Sequence, residues 1–253
     1  MPRRLGQHFL IKGSVLERIA AAACPTPEDL VVEIGPGRGA LTEKLLKRAA
    51  RVIAVELDAT LVDHLGERFR SEPRLEVIHA DVLETDLAQW GPAVIAGNLP
   101  YYITSPILAK AAHTGFKRAV FLVQKEVAER ITAQPGSRDY GYLTVATATF
   151  AIPELLFEVK PAAFRPPPKV DSAVLLLERR EHPLVADTAG FLEFAGLCFR
   201  QKRKTIRNNL APVYGKDAID QWPEAGLRAE QIPLERLIEI YRRTRFFSPN
   251  PAG

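Results

Sequence analysis

The residues best suited to chemistry are Asn98, Leu99, Pro100 and Tyr101, within AGNLPYYITSP from Ala96 to Pro106. They leave a short apolar run, Ala93 to Ala96, that reads as a strand. The side-chain oxygen of Asn98 and the backbone carbonyl of Leu99 are two acceptors on one turn. Pro100 has no N–H and a fixed φ, so it stiffens that turn. Tyr101 offers a face on which a flipped-out base can stack, worth about 1–3 kcal/mol. An adenine amino group is a poor nucleophile because its lone pair is delocalised into the ring. Two acceptors on its N–H bonds favour a pyramidal nitrogen whose lone pair can attack a methylsulfonium. No general base is needed first, because the proton leaves after transfer. Taken alone, the same residues also fit a type I or II turn with buried tyrosines.

The partner for such an amine is suggested upstream. VVEIGPGRGALT ends one strand and opens a helix, and its glycines permit a tight turn and close ligand approach. Glu56, in IAVELD, lies 21 residues beyond Gly35, where an acid can accept both ribose hydroxyls of a nucleoside. Gly35, Gly37 and Ala40 equally satisfy the dinucleotide pattern, so NAD stays open on this spacing. Three features favour S-adenosylmethionine. Glu33 places an acid where a cationic methionine end could be held. Pro36 removes a backbone donor from a loop that would otherwise cradle pyrophosphate. Asp81, ending HAD, could accept from an adenine amino group. Each acid alone is more often a solvated residue or helix cap; their succession at strand tips makes the stronger case.

Apolar runs at 30–35, 51–58, 75–81, 93–98 and 118–124 alternate with helical patterns at 40–50, 60–70, 105–115 and 125–133. This predicts an α/β fold, a Rossmann-like methyltransferase sheet with helices on both faces. YLTVATATF (142–150) fits helix or strand, and 155–160 with 173–180 read as a closing pair of strands. From about residue 184 no strand pattern remains. Helices are expected at 191–210 and 234–247, so the expected domains are 1–183 and an all-helical 184–253.

The 253 residues suit a large domain plus a small one. Two cysteines without paired spacing and five scattered histidines suggest neither disulfides nor a metal site. Polar residues interrupt the N-terminus, against a signal peptide, and no run approaches a membrane span. A reduced, cytoplasmic protein is expected, and nothing demands more than a monomer. The net charge of +4 mildly favours an anionic partner, and 184–253 carries 11 Lys+Arg against 8 Asp+Glu.

GQHFL, VEIGPGRGALT, VELD, GNLPYYI, QKEVAERI, AAFRPPPKVDSAV and QKRKTIRNNL together resemble the KsgA-type ribosomal RNA adenine dimethyltransferases, over residues 5 to 210. The resemblance implies two methyls placed on N6 of each of two adjacent adenosines in the 3′-terminal hairpin of small-subunit rRNA. It implies S-adenosylmethionine contacts at His8, Leu10, Gly35, Glu56, Asp81 and Asn98. Many family members have Asn at the position of His8; either side chain can hydrogen-bond the cofactor. Phe164 matches a second aromatic wall that would sandwich the base against Tyr101, although by residue type a phenylalanine is more often core.

Arg200, Lys202, Arg203, Lys204 and Arg207 place five positive charges in eight residues, with no acid between Glu193 and Asp217. Helical spacing would put Arg200, Arg203, Lys204 and Arg207 on one face, suited to phosphate contact. Arg3, Arg4 and Lys12 could add to that surface. Base choice would then come from RNA shape. The rival readings are a large-subunit rRNA methyltransferase of the antibiotic-resistance type, an amide methyltransferase, an NAD-dependent dehydrogenase, and an RNA-binding assembly factor with a vestigial pocket.

Overall fold

The computed structural model describes residues 8–112 and 114–244. Arg3 and Arg4, and the end of the helix expected to reach 247, lie outside the described residues. The chain divides into two compact units. One holds the described residues up to Ala128 together with Ala151–Arg179; the other holds Glu129–Phe150 and the described residues from Arg180 onward. The expected boundary after 183 thus lies close to where the second unit resumes, but 129–150 joins that unit rather than the first.

The first unit contains strands β1 (Phe9–Leu10), β2 (Glu28–Ile34), β3 (Ala49–Glu56), β4 (Leu75–His79), β5 (Val94–Asn98) and β6 (Arg118–Gln124), then β7 (Ala151–Val159), β8 (Phe164–Arg165) and β9 (Ser172–Arg179). Its helices include α1 (Gly13–Ala23), α2 (Ala40–Leu45), α3 (Ala59–Arg68) and α4 (Thr104–Ala112). The large sheet has the order β4-β3-β2-β5-β6-β9-β7. Its first five strands are parallel, and β9 runs antiparallel to both neighbours. The centre of β6, Ala119 to Val123, is fully buried, which is why it reads as an unbroken apolar run. Helix α2 stops earlier than its leucine pattern suggests, because Ala49 is already paired with Glu28 as β3 begins.

The chain steps outward through β2, β3 and β4, then crosses to the other side of β2 as β5. This reversal opens a crevice at the carboxyl ends of β2 and β5. The register pairs Ile34 with Gly97, so Gly35 and Asn98 leave adjacent strand tips side by side. Gly97 permits this approach: a Cβ there would lie 2.5 Å from the Ile34 carbonyl oxygen. A separate two-stranded ribbon pairs β1 with β8, Phe9 opposite Arg165 and Leu10 opposite Phe164.

The second unit includes α6 (Tyr142–Phe150), α7 (Thr188–Phe199), α8 (Ile206–Tyr214), α9 (Lys216–Asp220) and α10 (Leu234–Thr244); α5 (Lys125–Ile131) leads into it. The ambiguous 142–150 is therefore helical. Two of its three threonines turn their hydroxyls to carbonyls, Thr149 to Val145 at 2.8 Å and Thr144 to Arg130 at 2.5 Å, which offsets their β preference. Phe191, Phe194 and Tyr241 form an aromatic core, with the Tyr241 hydroxyl donating to Asp187 at 2.6 Å. The helix expected over 191–210 is two helices broken by a turn at 200–205. Thr205 caps the second of them, accepting from the Asn208 N–H.

Candidate active site

The crevice is a cavity of about 330 Å³, enclosed by the tips of β2, β3 and β5, the turn after β4, and the N-terminal segment from His8 to Ile11. It therefore lies in the range of small-molecule sites. Every residue expected to bind the cofactor lines it: His8, Leu10, Glu33, Gly35, Gly37, Glu56, Asp81 and Asn98. Leu99, Pro100 and Tyr101 line it as well.

Two carboxyl groups occupy its floor in different surroundings. The Glu56 carboxylate accepts from the backbone N–H groups of Gly37 (3.1 Å), Leu57 (2.9 Å) and Asp58 (3.0 Å). Three such donors fix the orientation of the carboxyl group while lone pairs remain for a ligand hydroxyl. Gly37 donates from φ +56°, a left-handed conformation that favours glycine. Glu33 is 1% exposed and accepts from the Thr42 hydroxyl at 2.6 Å. Burial, with the Glu56 charge adding to it, pushes its carboxyl up to about 8 despite that hydrogen bond. Beyond β4, Asp81 accepts from the Leu83 N–H at 2.8 Å, which ties the acid to its own turn.

At the tip of β5 the Asn98 side-chain amide donates to the His8 carbonyl at 3.0 Å. With its NH₂ engaged there, its oxygen is left as an acceptor. Leu99 is buried, and its N–H donates to the Leu122 carbonyl at 3.0 Å, fixing the backbone of the turn. Pro100 sits at φ −57°, ψ 130°. The Tyr101 hydroxyl is 2.8 Å from the hydroxyl of buried Ser172, and burial raises its pKa. The ring therefore cannot swing away without losing that partner. The His8 ring stacks on Tyr101 with centroids 6.1 Å apart and planes at 27°, while its Nδ1 lies 2.8 Å from the Pro166 carbonyl.

Phe164 is placed otherwise than expected. It is 2% exposed, paired through its backbone with Leu10, and belongs to the core cluster; it is not among the residues that line the cavity, although Leu10 is. Burial of a phenyl ring on a paired strand outweighs its display, so the ring beside Tyr101 is His8. The basic run also departs from expectation. The turn at 200–205 removes the shared helical face. Arg200, Arg203 and Lys204 are exposed, whereas Lys202 donates to the Arg138 carbonyl and Arg207 is paired with Asp220 at 2.7 Å. Among the described residues no group of three His, Cys, Asp or Glu could hold a metal ion, and no helix is long and apolar enough to cross a membrane.

Sequence reasoning missed Leu57, Val82, Phe9 and Arg38, all lining the cavity. Leu57 is 48% exposed, unusual for a leucine, and offers an apolar wall beside Glu56. The signal was present, since Leu57 and Val82 each directly follow a strand-tip acid. Arg38 lies over the Phe9 ring at 5.1 Å, a pairing that required knowledge of the fold.

Residues 2–242 match the family described as ribosomal RNA adenine dimethylase. A ribosomal RNA small subunit methyltransferase A from Thermotoga maritima is 42% identical over 245 residues, covering 97% of this chain and 86% of its own. Its counterpart from Acidobacterium capsulatum is 43% identical, covering 94% and 89%. Among solved structures, a dimethyladenosine transferase from Plasmodium falciparum superposes with a TM-score of 0.81 at 25% identity, covering 94% of this chain and 98% of that one. The 23S rRNA methyltransferase ErmE gives 0.75 at 30% identity, covering 93% and 98%. The cavity at the strand tips thus belongs to a chain that is a member of the ribosomal RNA adenine dimethylase family.

Proposed function

We propose that this protein transfers methyl groups from S-adenosylmethionine to N6 of two adjacent adenosines in the 3′-terminal hairpin of small-subunit rRNA, acting as a cytoplasmic monomer. The observation that carries the chemistry is the convergence of Glu33, Glu56, Asp81 and the Asn98–Tyr101 turn on one cavity. The small subunit is favoured over the large one because relatives named for the small subunit are 42–43% identical, against 30% for ErmE. The dehydrogenase reading falls with the family assignment.

S-adenosylmethionine, when bound, supplies an electrophilic methyl group. Glu56, Asp81 and Glu33 line the cavity; Glu56 would accept the ribose hydroxyls, Asp81 the adenine amino group, and Glu33 would face the cationic methionine end. Exposed Leu57 provides an apolar wall for the adenine. The target base enters over Tyr101, and its amino group donates to the Asn98 oxygen and the Leu99 carbonyl. Both N–H bonds are then held away from the attacking lone pair. Asn98 is suited to this because His8 already engages its NH₂. The proton leaves to solvent after transfer, so no histidine or cysteine base is required. Exposed Arg200, Arg203 and Lys204 contribute phosphate contacts that position the RNA without reading its sequence.

The test is methyl transfer from labelled S-adenosylmethionine to unmethylated small subunits, large subunits and a protein-free control. Label is expected in the small subunit alone, with its rate of incorporation cut by about 10²–10³-fold in Asn98→Ala. Label in large-subunit RNA would overturn the substrate, and no transfer to any RNA would overturn the activity.

A further inference from the structure

Thr42 lies in the first turn of α2, directly after the glycine loop, and is fully buried. Its hydroxyl donates to one oxygen of Glu33, at 2.6 Å. A hydroxyl has one hydrogen to give, so it can hold only one carboxyl oxygen. The other oxygen, Oε1, has no hydrogen bond to any described residue and is not among the fully buried unpaired atoms, so it opens onto the cavity that Glu33 lines. A carboxyl oxygen open to a cavity and held by no protein donor is free to accept from a ligand.

We infer that Thr42 is a positioning residue of the cofactor pocket, holding Glu33 so that its second oxygen receives the ammonium group of the methionine end. This rests on the reading of the cavity as an S-adenosylmethionine site. The arrangement makes the pocket select for charge at that end. The titratable groups that share the cavity are Glu56 on β3, Arg38 in the glycine loop, Asp81 beyond β4, and His8 and Tyr101. Burial and the neighbouring Glu56 hold the Glu33 proton in place near neutrality. An arriving ammonium stabilises the carboxylate, so cofactor binding expels that proton to solvent. The Thr42 hydroxyl lowers the cost of this ionisation by bonding the charged form.

The experiment is isothermal titration calorimetry of wild type, Thr42→Val and Thr42→Ser, between pH 6 and 8.5, in buffers of different ionisation enthalpy. The ligands are S-adenosylmethionine and 5′-methylthioadenosine, which lacks the amino-acid end. Valine keeps the shape of the threonine and removes only the donor. It should weaken S-adenosylmethionine by about tenfold to a hundredfold, the value of a hydrogen bond to a charged group, and leave methylthioadenosine unchanged. Serine should restore the affinity. Wild type should release close to one proton per S-adenosylmethionine at pH 7, and none with methylthioadenosine. Equal weakening of both ligands by valine would reduce Thr42 to a packing residue and overturn the inference, as would unchanged S-adenosylmethionine affinity. Failure of wild type to bind either ligand would instead overturn the reading of the cavity, and the inference with it.

Discussion

Glu33 and Glu56 are 1% and 5% exposed at the floor of the cavity, whereas Arg200, Arg203 and Lys204 stand exposed on a turn of the second unit. Burying a carboxylate is expensive, so each buried acid needs fixed partners, and the fold supplies three backbone N–H groups for one and a hydroxyl for the other. Exposed cations need no such support, since water solvates them and salt screens them. The difference predicts distinct behaviour on mutation. Cavity residues should act singly and steeply, and turn residues weakly, additively and in proportion to salt.

The largest effect is expected from Asn98→Ala, which removes one of the two acceptors we propose for the reacting amine. Single-turnover transfer should slow by about 10²–10³-fold, the usual cost of losing one preorganised hydrogen-bonding group. Tyr101→Ala should follow, raising KM for RNA by the loss of about 1–3 kcal/mol of stacking; Tyr101→Phe should lose much less. Comparison of the two by steady-state kinetics separates the ring from the hydroxyl that anchors it on Ser172.

Stability should also depend on Glu33. Its folded pKa of about 8 lies above the 4.5 of the unfolded chain, so its contribution is full below 4.5 and is lost as pH rises through 8. Urea denaturation should therefore show stability falling between pH 5 and 8, by at most about 1.4 kcal/mol per pH unit from this group. Glu33→Gln should flatten that slope while weakening the cofactor. The smallest effects belong to the exposed turn. Arg203→Ala or Lys204→Ala should each reduce the salt slope of RNA binding by about one and leave S-adenosylmethionine affinity unchanged. A steep, salt-independent loss from either would erase the distinction between the two regions.

The cavity was legible in the sequence because its residues sit at strand tips. Parallel register brings Gly35 beside Asn98 and carries Glu56 to the same edge, whatever the detail of the helices between. The basic run was legible only in composition. Its spacing argument assumed a helix through 200–205, where the chain instead turns and Thr205 caps a new helix. The placement of Phe164 was hidden for a related reason, because nothing local in AAFRPPP reveals that β8 pairs with β1 and buries the ring. Thr42 lay within the quoted glycine-loop segment, yet its bond to Glu33 joins a helix to a strand and needed the packed structure.

The central claim is that the Asn98–Tyr101 turn acts on the exocyclic amine of an adenine. The most direct measurement is nucleoside analysis by mass spectrometry of unmethylated small-subunit RNA after reaction with the protein and labelled S-adenosylmethionine. Label is expected as N6,N6-dimethyladenosine, formed about 10²–10³-fold more slowly by Asn98→Ala. Label in a ring-methylated adenosine, in another nucleoside or in a protein glutamine would contradict it.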